Sequence, residues 1–433
     1  MLIGRAKEYQ YFEDLYENPE SKIVVFYGAK MLGKTAFALD FVKDKPYAYC
    51  YVKSGGEEFV YEDLKKTAAK LSASDKKQVL ILDEFQNAAH APEFLSKIKE
   101  LTNYGNLLVI LISSANTWVE TQIVHAFGKS VTAIHGFYKI KELSFADICK
   151  MYPEVAADKL FALYAVFGGV PGIWQYVQTQ KSIESIICKA VLAKESFLFQ
   201  AGYSYCVDGL RDTGVYDVIL SAIAAGNTKL NDLHKLTGFN RAKISVYLKA
   251  LMEQGQVDKI LSYEVPKTQS SKVGIYEIVN HFTLFWFTFI FPHYNELIVM
   301  EPEVFYHTYI APGFMAYTDH FVKDVVKEAF IKKGYLPAES AAFSNRYLGK
   351  KGEVELIWKG ENGFCGVYAK NRSARVGIAE YEAFLDTLKE TGASFSEYTF
   401  VSDKGFEKKL SQKADGKLHL IEFSELLTLV QKD

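Results

Sequence analysis

Residues Lys22 to Tyr27 read KIVVFY, an apolar run that passes without a break into GAKMLGKT (Gly28 to Thr35). The following AFALDFVKD has helical spacing. No other feature constrains the fold as tightly. A short strand without polar alternation belongs to a sheet covered on both faces, and such sheets are parallel with helical crossovers. The first third of the chain is therefore expected to be α/β.

The turn between strand and helix has the pattern G-x-x-x-x-G-K-[ST] in the context that the pattern requires. Gly28 and Gly33 let the backbone curl, so that the N–H groups of Gly28, Ala29, Lys30, Met31, Leu32, Gly33, Lys34 and Thr35 can face phosphate oxygens. Lys34 would reach the β- and γ-phosphates of ATP, and the Thr35 hydroxyl would ligate Mg²⁺. A second apolar run, QVLILDEFQ (Gln78 to Gln86), ends in Asp83-Glu84. Parallel strands present functional groups at their C-terminal ends. Asp83 is thus expected to hold Mg²⁺ and Glu84 to activate the attacking water. Tyr47 to Val52 (YAYCYV) is a further strand candidate, and LLVILI (Leu107 to Ile112) another. The latter ends in Ser113, Ser114 and Asn116, each a candidate for sensing the γ-phosphate, with Ser113 slightly ahead.

These stretches resemble the archaeal-type ATPase family of AAA+/STAND-like P-loop NTPases, over essentially the whole chain. IGRAKE (Ile3 to Glu8) is similar to that family's entry segment near the adenine, and HGFYKIKELSF (His135 to Phe145) to a later segment. FGGVPGIW (Phe167 to Trp174) is similar to its Gly-Gly-x-Pro signature, which implies that Pro171 lies in a helical lid over the nucleotide. Two departures bear on hydrolysis rather than on binding. SSAN stands where relatives carry a Gly-Ser step, and Phe137 stands where they commonly carry Arg.

Val215 to Ala225, Leu230 to Leu236 and Asn240 to Gln254 are predicted helices, followed by two strands around the loop PKTQSSK. This order is that of a winged helix. Arg241, Lys243 and Lys249 are candidate DNA contacts, with Lys267 and Lys272 in the wing. From Val215 to Asn280 there are eight Lys/Arg against six acids, a small excess for a phosphate-binding face. Use of the segment as an internal packing module is the competing reading. The net charge of the whole chain, −2, likewise makes any nucleic-acid surface a local one.

The last third reads as a helix (His320 to Gly334), a hairpin (KGEVELIWKGENGFCGVYAKN, Lys351 to Asn371), a helix, a strand and a terminal helix. The resemblance implies a restriction-endonuclease-like, PD-(D/E)xK domain. Glu355 then stands at the metal-ligand position and Lys370 at the lysine position. Tyr368 occupies the place of the second acid, with Asp324 near the expected helix acid. A neutral phenol, whose pKa is about 10, is a poor Mg²⁺ ligand. A degenerate scaffold that serves as a docking or regulatory surface for a protein partner is the preferred reading, and an Mg²⁺-dependent DNA nuclease the alternative.

Five cysteines without a CxxC pair argue against a disulfide framework or a zinc site and fit a cytoplasmic protein. The most apolar run, Phe282 to Pro292, has about half the roughly 20 residues needed to span a bilayer, so it is expected to be a buried core helix. The expected architecture is α/β: a P-loop NTPase parallel sheet (1–147), a helical lid (148–210), a winged helix (211–280), an aromatic connecting helix (281–312) and a nuclease-like α/β domain (313–433). The expected function is that of a slow ATP hydrolase that binds ATP or ADP with Mg²⁺ and works as a molecular switch. ATP-regulated DNA binding is an alternative, and a membrane role is not expected.

Overall fold

The computed structural model describes residues 1–53, 77–88, 94–103, 106–207, 210–263, 274–337, 346–370 and 374–432. Lys267 and Lys272, named above, lie outside them. The chain forms two compact units. One is Met1–Leu143 with Val170–Gln175, and the other is Ser144–Gly169 with the rest of the chain from Tyr176.

The first unit is built on five parallel strands in the order β2-β3-β4-β1-β5. They are β1 (Lys22–Tyr27), β2 (Tyr47–Tyr51), β3 (Gln78–Asp83), β4 (Leu107–Ser113) and β5 (Gly136–Lys139). Burial follows position in the sheet. Every residue of β3 and β4 is buried, whereas edge strands β2 and β5 alternate between more and less exposed residues. The continuous apolar runs in the sequence are thus the central strands. On one face of the sheet Val25, Leu80, Leu82, Val109 and Leu111 pack with Phe85, Phe94 and Phe127. The aromatic rings of Phe12, Phe26, Phe37 and Phe41 form a second cluster. β5 was not expected as a strand: its four residues, GFYK, carry no apolar run, and pairing with β1 fixes them.

In the second unit three helices, Thr213–Ala224, Leu230–Thr237 and Arg241–Glu253, precede an antiparallel pair, β6 (Val257–Leu261) and β7 (Gly274–Ile278). Asn240 caps the third helix by accepting the Lys243 N–H at 2.8 Å. The aromatic run is helical from His281 to His293, with a wide turn over Trp286–Ile290, and nearly all of it is buried.

A 22-residue helix, Ala311–Lys332, leads to the C-terminal sheet. Between them, the short strands β8 (Tyr347–Leu348) and β9 (Glu353–Val354) pair with each other. The sheet itself comprises β10 (Leu356–Lys359), β11 (Phe364–Lys370), β12 (Phe395–Ser402) and β13 (Leu418–Glu422), in that order. β10 and β11 are antiparallel, and the other two pairs are parallel. The helix Ile378–Thr391 joins β11 to β12. The stretch GEVELI is thus interrupted at Glu355, its two parts pairing with different partners. No helix among the described residues is long and apolar enough to cross a membrane.

Glu328, on the long helix, accepts the backbone N–H groups of Phe145 and Ala146, each at 3.0 Å. Burial outweighs those two bonds and pushes its carboxyl up to about 7. A carboxyl with a raised folded-state pKa stabilises most below its unfolded pKa, and that contribution is lost as pH rises through the folded value. Urea unfolding should therefore show wild type gaining on Glu328→Gln by up to roughly 3 kcal/mol between pH 8 and pH 5. A difference that does not vary with pH would exclude the assigned protonation.

Candidate functional site

Parallel pairing decides which groups meet. β4 lies between β1 and β3, and Tyr27 is in register with Ser113 while Asp83 is in register with Ile112. The C-terminal ends of the three strands therefore lie side by side. From β1 the chain enters the loop Gly28–Gly33 and then the helix Lys34–Phe41. Met31 and Gly33 have positive φ, 65° and 85°, the alternation of hand that turns successive N–H groups toward one point. At Gly28 a side chain is excluded by space, since an added Cβ would lie 2.4 Å from Ile140 Cγ2 and 3.0 Å from Ile140 O.

Lys34 is buried, and its ammonium donates to the carbonyls of Gly28 and Ala29, both at 2.8 Å. Burial lowers its pKa to about 8, against the pull of Glu84 and Asp83. Thr35 Oγ1 donates to Asp83 Oδ2 at 2.6 Å, and the Tyr49 hydroxyl donates to the same oxygen at 3.0 Å. Glu84 has φ +57°, a left-handed conformation costing roughly 1–2 kcal/mol in a residue with a Cβ. Its Oε2 accepts from Ser114 Oγ at 2.8 Å and from Gln86 Nε2. Ser113 is fully buried, and its Oγ accepts the Ala115 N–H at 3.1 Å. Asn116 is 8% exposed, and its Oδ1 accepts no hydrogen bond from the described residues.

Three contributions were missed by reading motifs. Arg5, in the GRAKE stretch, braces the loop, donating to Leu32 O at 3.0 Å and to Lys141 O at 2.7 Å. Gly172, beside Pro171 in the short helix Pro171–Trp174, donates its N–H to Met31 O at 2.9 Å. Tyr49 reaches Asp83 from the neighbouring strand. Only the alternation of YAYCYV hinted that its tyrosines share one face.

Thr35 and Asp83 are hard oxygen donors held 2.6 Å apart, and the described residues contain no group of three His, Cys, Asp or Glu side chains able to hold a metal. So few protein ligands suit Mg²⁺, which keeps waters and shares itself with substrate phosphates.

The C-terminal candidates are placed differently. Tyr368 stacks on Phe400 (centroids 5.0 Å apart) and lies within the apolar cluster of that sheet. Glu355 is buried and lines, with Asp324, Lys323, Lys327 and Arg346, a cavity of about 1250 Å³.

Residues 20–149 match the family model described as AAA domain. The chain is 26% identical over 395 residues to an uncharacterized protein of Methanocaldococcus jannaschii, covering 84% of this chain and 85% of that one. Among solved structures it is similar to a Walker-type ATPase of Pyrococcus abyssi (15% identity, 66% of this chain and 96% of the other, TM-score 0.48). It is also similar to the ORC2 protein of Aeropyrum pernix in its ADPNP–ADP complexes (14% identity, 69% and 96%, TM-score 0.44). The family match thus covers, up to residue 143, the unit that carries the loop, Asp83 and Glu84, and ends at residue 149 in the other unit.

Proposed function

We propose that the chain binds ATP with Mg²⁺ at Gly28–Thr35 and Asp83 and hydrolyses it slowly, its nucleotide state acting as a switch. One observation carries this reading: the Thr35–Asp83 hydrogen bond, which joins the loop hydroxyl to the strand-end carboxylate. Lys34 stands ready to exchange its two carbonyl contacts for phosphate oxygens, a charge-assisted and stronger bond. Bound Mg²⁺ would supply neutralisation of the β- and γ-phosphate charge. Glu84, which has a costly backbone conformation and a carboxylate held by Ser114 and Gln86, would orient water and take its proton. Asn116 suits the role of contacting the γ-phosphate or the water better than Ser113, whose hydroxyl is used internally. Gly172, next to Pro171, donates to Met31 O in the loop and would respond to its movement.

A second reading, ATP-regulated DNA binding, is favoured by the exposed outer face of the helix Arg241–Glu253, which presents Arg241, Ser245 and Lys249. We take the three helices and the β6–β7 hairpin as a winged helix, and the C-terminal sheet as a nuclease-like scaffold. The cations of the winged helix are already partly occupied. Arg241 donates to Asn231, Lys243 lies 4.2 Å from the Phe239 ring centroid, and Lys249 lies 3.8 Å from Glu253. Strand cleavage is not part of the proposal, because Tyr368, at the expected acid position, is packed against Phe400 and Phe384.

Lys34→Ala is expected to weaken ATP binding by about 100-fold or more in equilibrium titrations. Glu84→Gln should keep its affinity and lose turnover by about 10²- to 10⁴-fold. Equal affinity in wild type and Lys34→Ala would overturn the nucleotide reading.

In Gly172→Ala the new Cβ would meet Met31 Cβ at 2.7 Å and Met31 O at 2.9 Å. A loss of about 1–3 kcal/mol in urea unfolding is expected. Gly214→Ala, where an added Cβ meets nothing within 4 Å, serves as control. For the second reading, a gel shift of duplex DNA that weakens with salt and disappears in the Arg241, Lys243, Lys249 triple alanine variant is the expected result. No shift at low salt would dismiss it.

A further inference from the structure

Tyr49 is the only group outside the motifs that contacts the strand-end carboxylate among the hydrogen bonds of the described residues. It sits on edge strand β2, paired with Ile81, two residues before Asp83. Side chains two residues apart along a strand share a face, and a diagonal neighbour lies about 7–8 Å away between Cα atoms. A phenol is long enough to cross that gap, and here its hydroxyl lies 3.0 Å from Asp83 Oδ2. Ala48 and Cys50, the residues on either side, pack into the core beneath the sheet, which fixes the strand and hence the side from which the tyrosine approaches. Burial first, and the neighbouring Asp83 charge next, raise the phenol pKa well above its ordinary value.

We propose that Tyr49 is a positioning residue for the Mg²⁺-nucleotide site, holding one oxygen of Asp83 by its hydroxyl so that the carboxylate keeps its orientation when Thr35 turns toward the metal. The proposal rests on the nucleotide reading given above. Oδ2 accepts two hydroxyl donors, at 2.6 and 3.0 Å, and only one of them, Thr35, belongs to the loop. If the Thr35 hydroxyl becomes a metal ligand, Tyr49 is the remaining hydroxyl that restrains this oxygen. Without it, the carboxylate is free to rotate and must be ordered at the moment of binding. That ordering weakens metal association, not the contacts that the backbone N–H groups make with phosphate.

The test uses the full chain and a fluorescent N-methylanthraniloyl derivative of ATP, with Mg²⁺ titrated from an EDTA baseline. Tyr49→Phe keeps the ring and removes only the hydroxyl. The expected result is a half-saturating Mg²⁺ concentration raised about 3- to 10-fold, the equivalent of one lost hydrogen bond. Nucleotide affinity in EDTA should match wild type, and Tyr47→Phe, on the same strand, should behave as wild type throughout. A Tyr49→Phe curve superimposable on wild type overturns the proposal while leaving the nucleotide site intact. An equal loss of affinity with and without Mg²⁺ also overturns it, because the hydroxyl would then act on the fold. Wild type that binds the analogue with no dependence on Mg²⁺ overturns both readings together.

Discussion

The hydrogen bond between Thr35 and Asp83 holds together what the sequence keeps 48 positions apart. It exists because β4 is inserted between β1 and β3, so that a loop leaving one strand and an acid ending another reach the same edge of one sheet. Both ends are rigid. The acid terminates a strand buried along its whole length, and the threonine sits in the first turn of a helix whose residues Phe37, Ala38 and Phe41 are buried. Packing of apolar surface thus fixes the positions of the polar groups, which by themselves would contribute only about 1 kcal/mol per hydrogen bond.

Around that bond the molecule tolerates features that a purely structural fold would avoid. A lysine is buried deeply enough to lower its pKa to about 8, a glutamate adopts a left-handed backbone, and an asparagine oxygen is buried without a donor among the described residues. Glu84 directly follows β3, Asn116 lies three residues beyond β4, and Lys34 opens the helix that the loop from β1 enters. Local conflict of this kind, gathered near the C-terminal ends of neighbouring strands, is the kind that functional sites carry.

The central strands, the loop and the Asp83–Glu84 pair were legible because full burial leaves an unbroken apolar run and the phosphate cradle needs fixed spacing. β5 was not, since GFYK is exposed at alternate residues and becomes a strand only by pairing with β1. Arg5 and Tyr49 escaped for a related reason. Each acts through a contact more than 25 residues away, with Leu32 or with Asp83, and no local periodicity records such a partner. In the C-terminal sheet, GEVELI looked like one strand, but it divides at Glu355 because its halves pair with different neighbours. Composition alone could not have separated a tyrosine standing in for a metal-site acid from one packed on Phe400.

The charges of the second unit point the same way as those core contacts. Burial alone would raise the Glu277 carboxyl, yet Lys323 and Arg346 beside it carry its pKa below the ordinary value, and Arg346 also pairs with Glu353. These four residues come from β7, the long helix, the segment preceding β8, and β9. Cations committed to such a network are poorly free to neutralise phosphates, because extracting one leaves a partly buried carboxylate unpaired. The network holds the hairpin to the C-terminal part of this unit through paired charge. Arg241 and Lys249, on the exposed face of the helix Arg241–Glu253, are by contrast open to solvent.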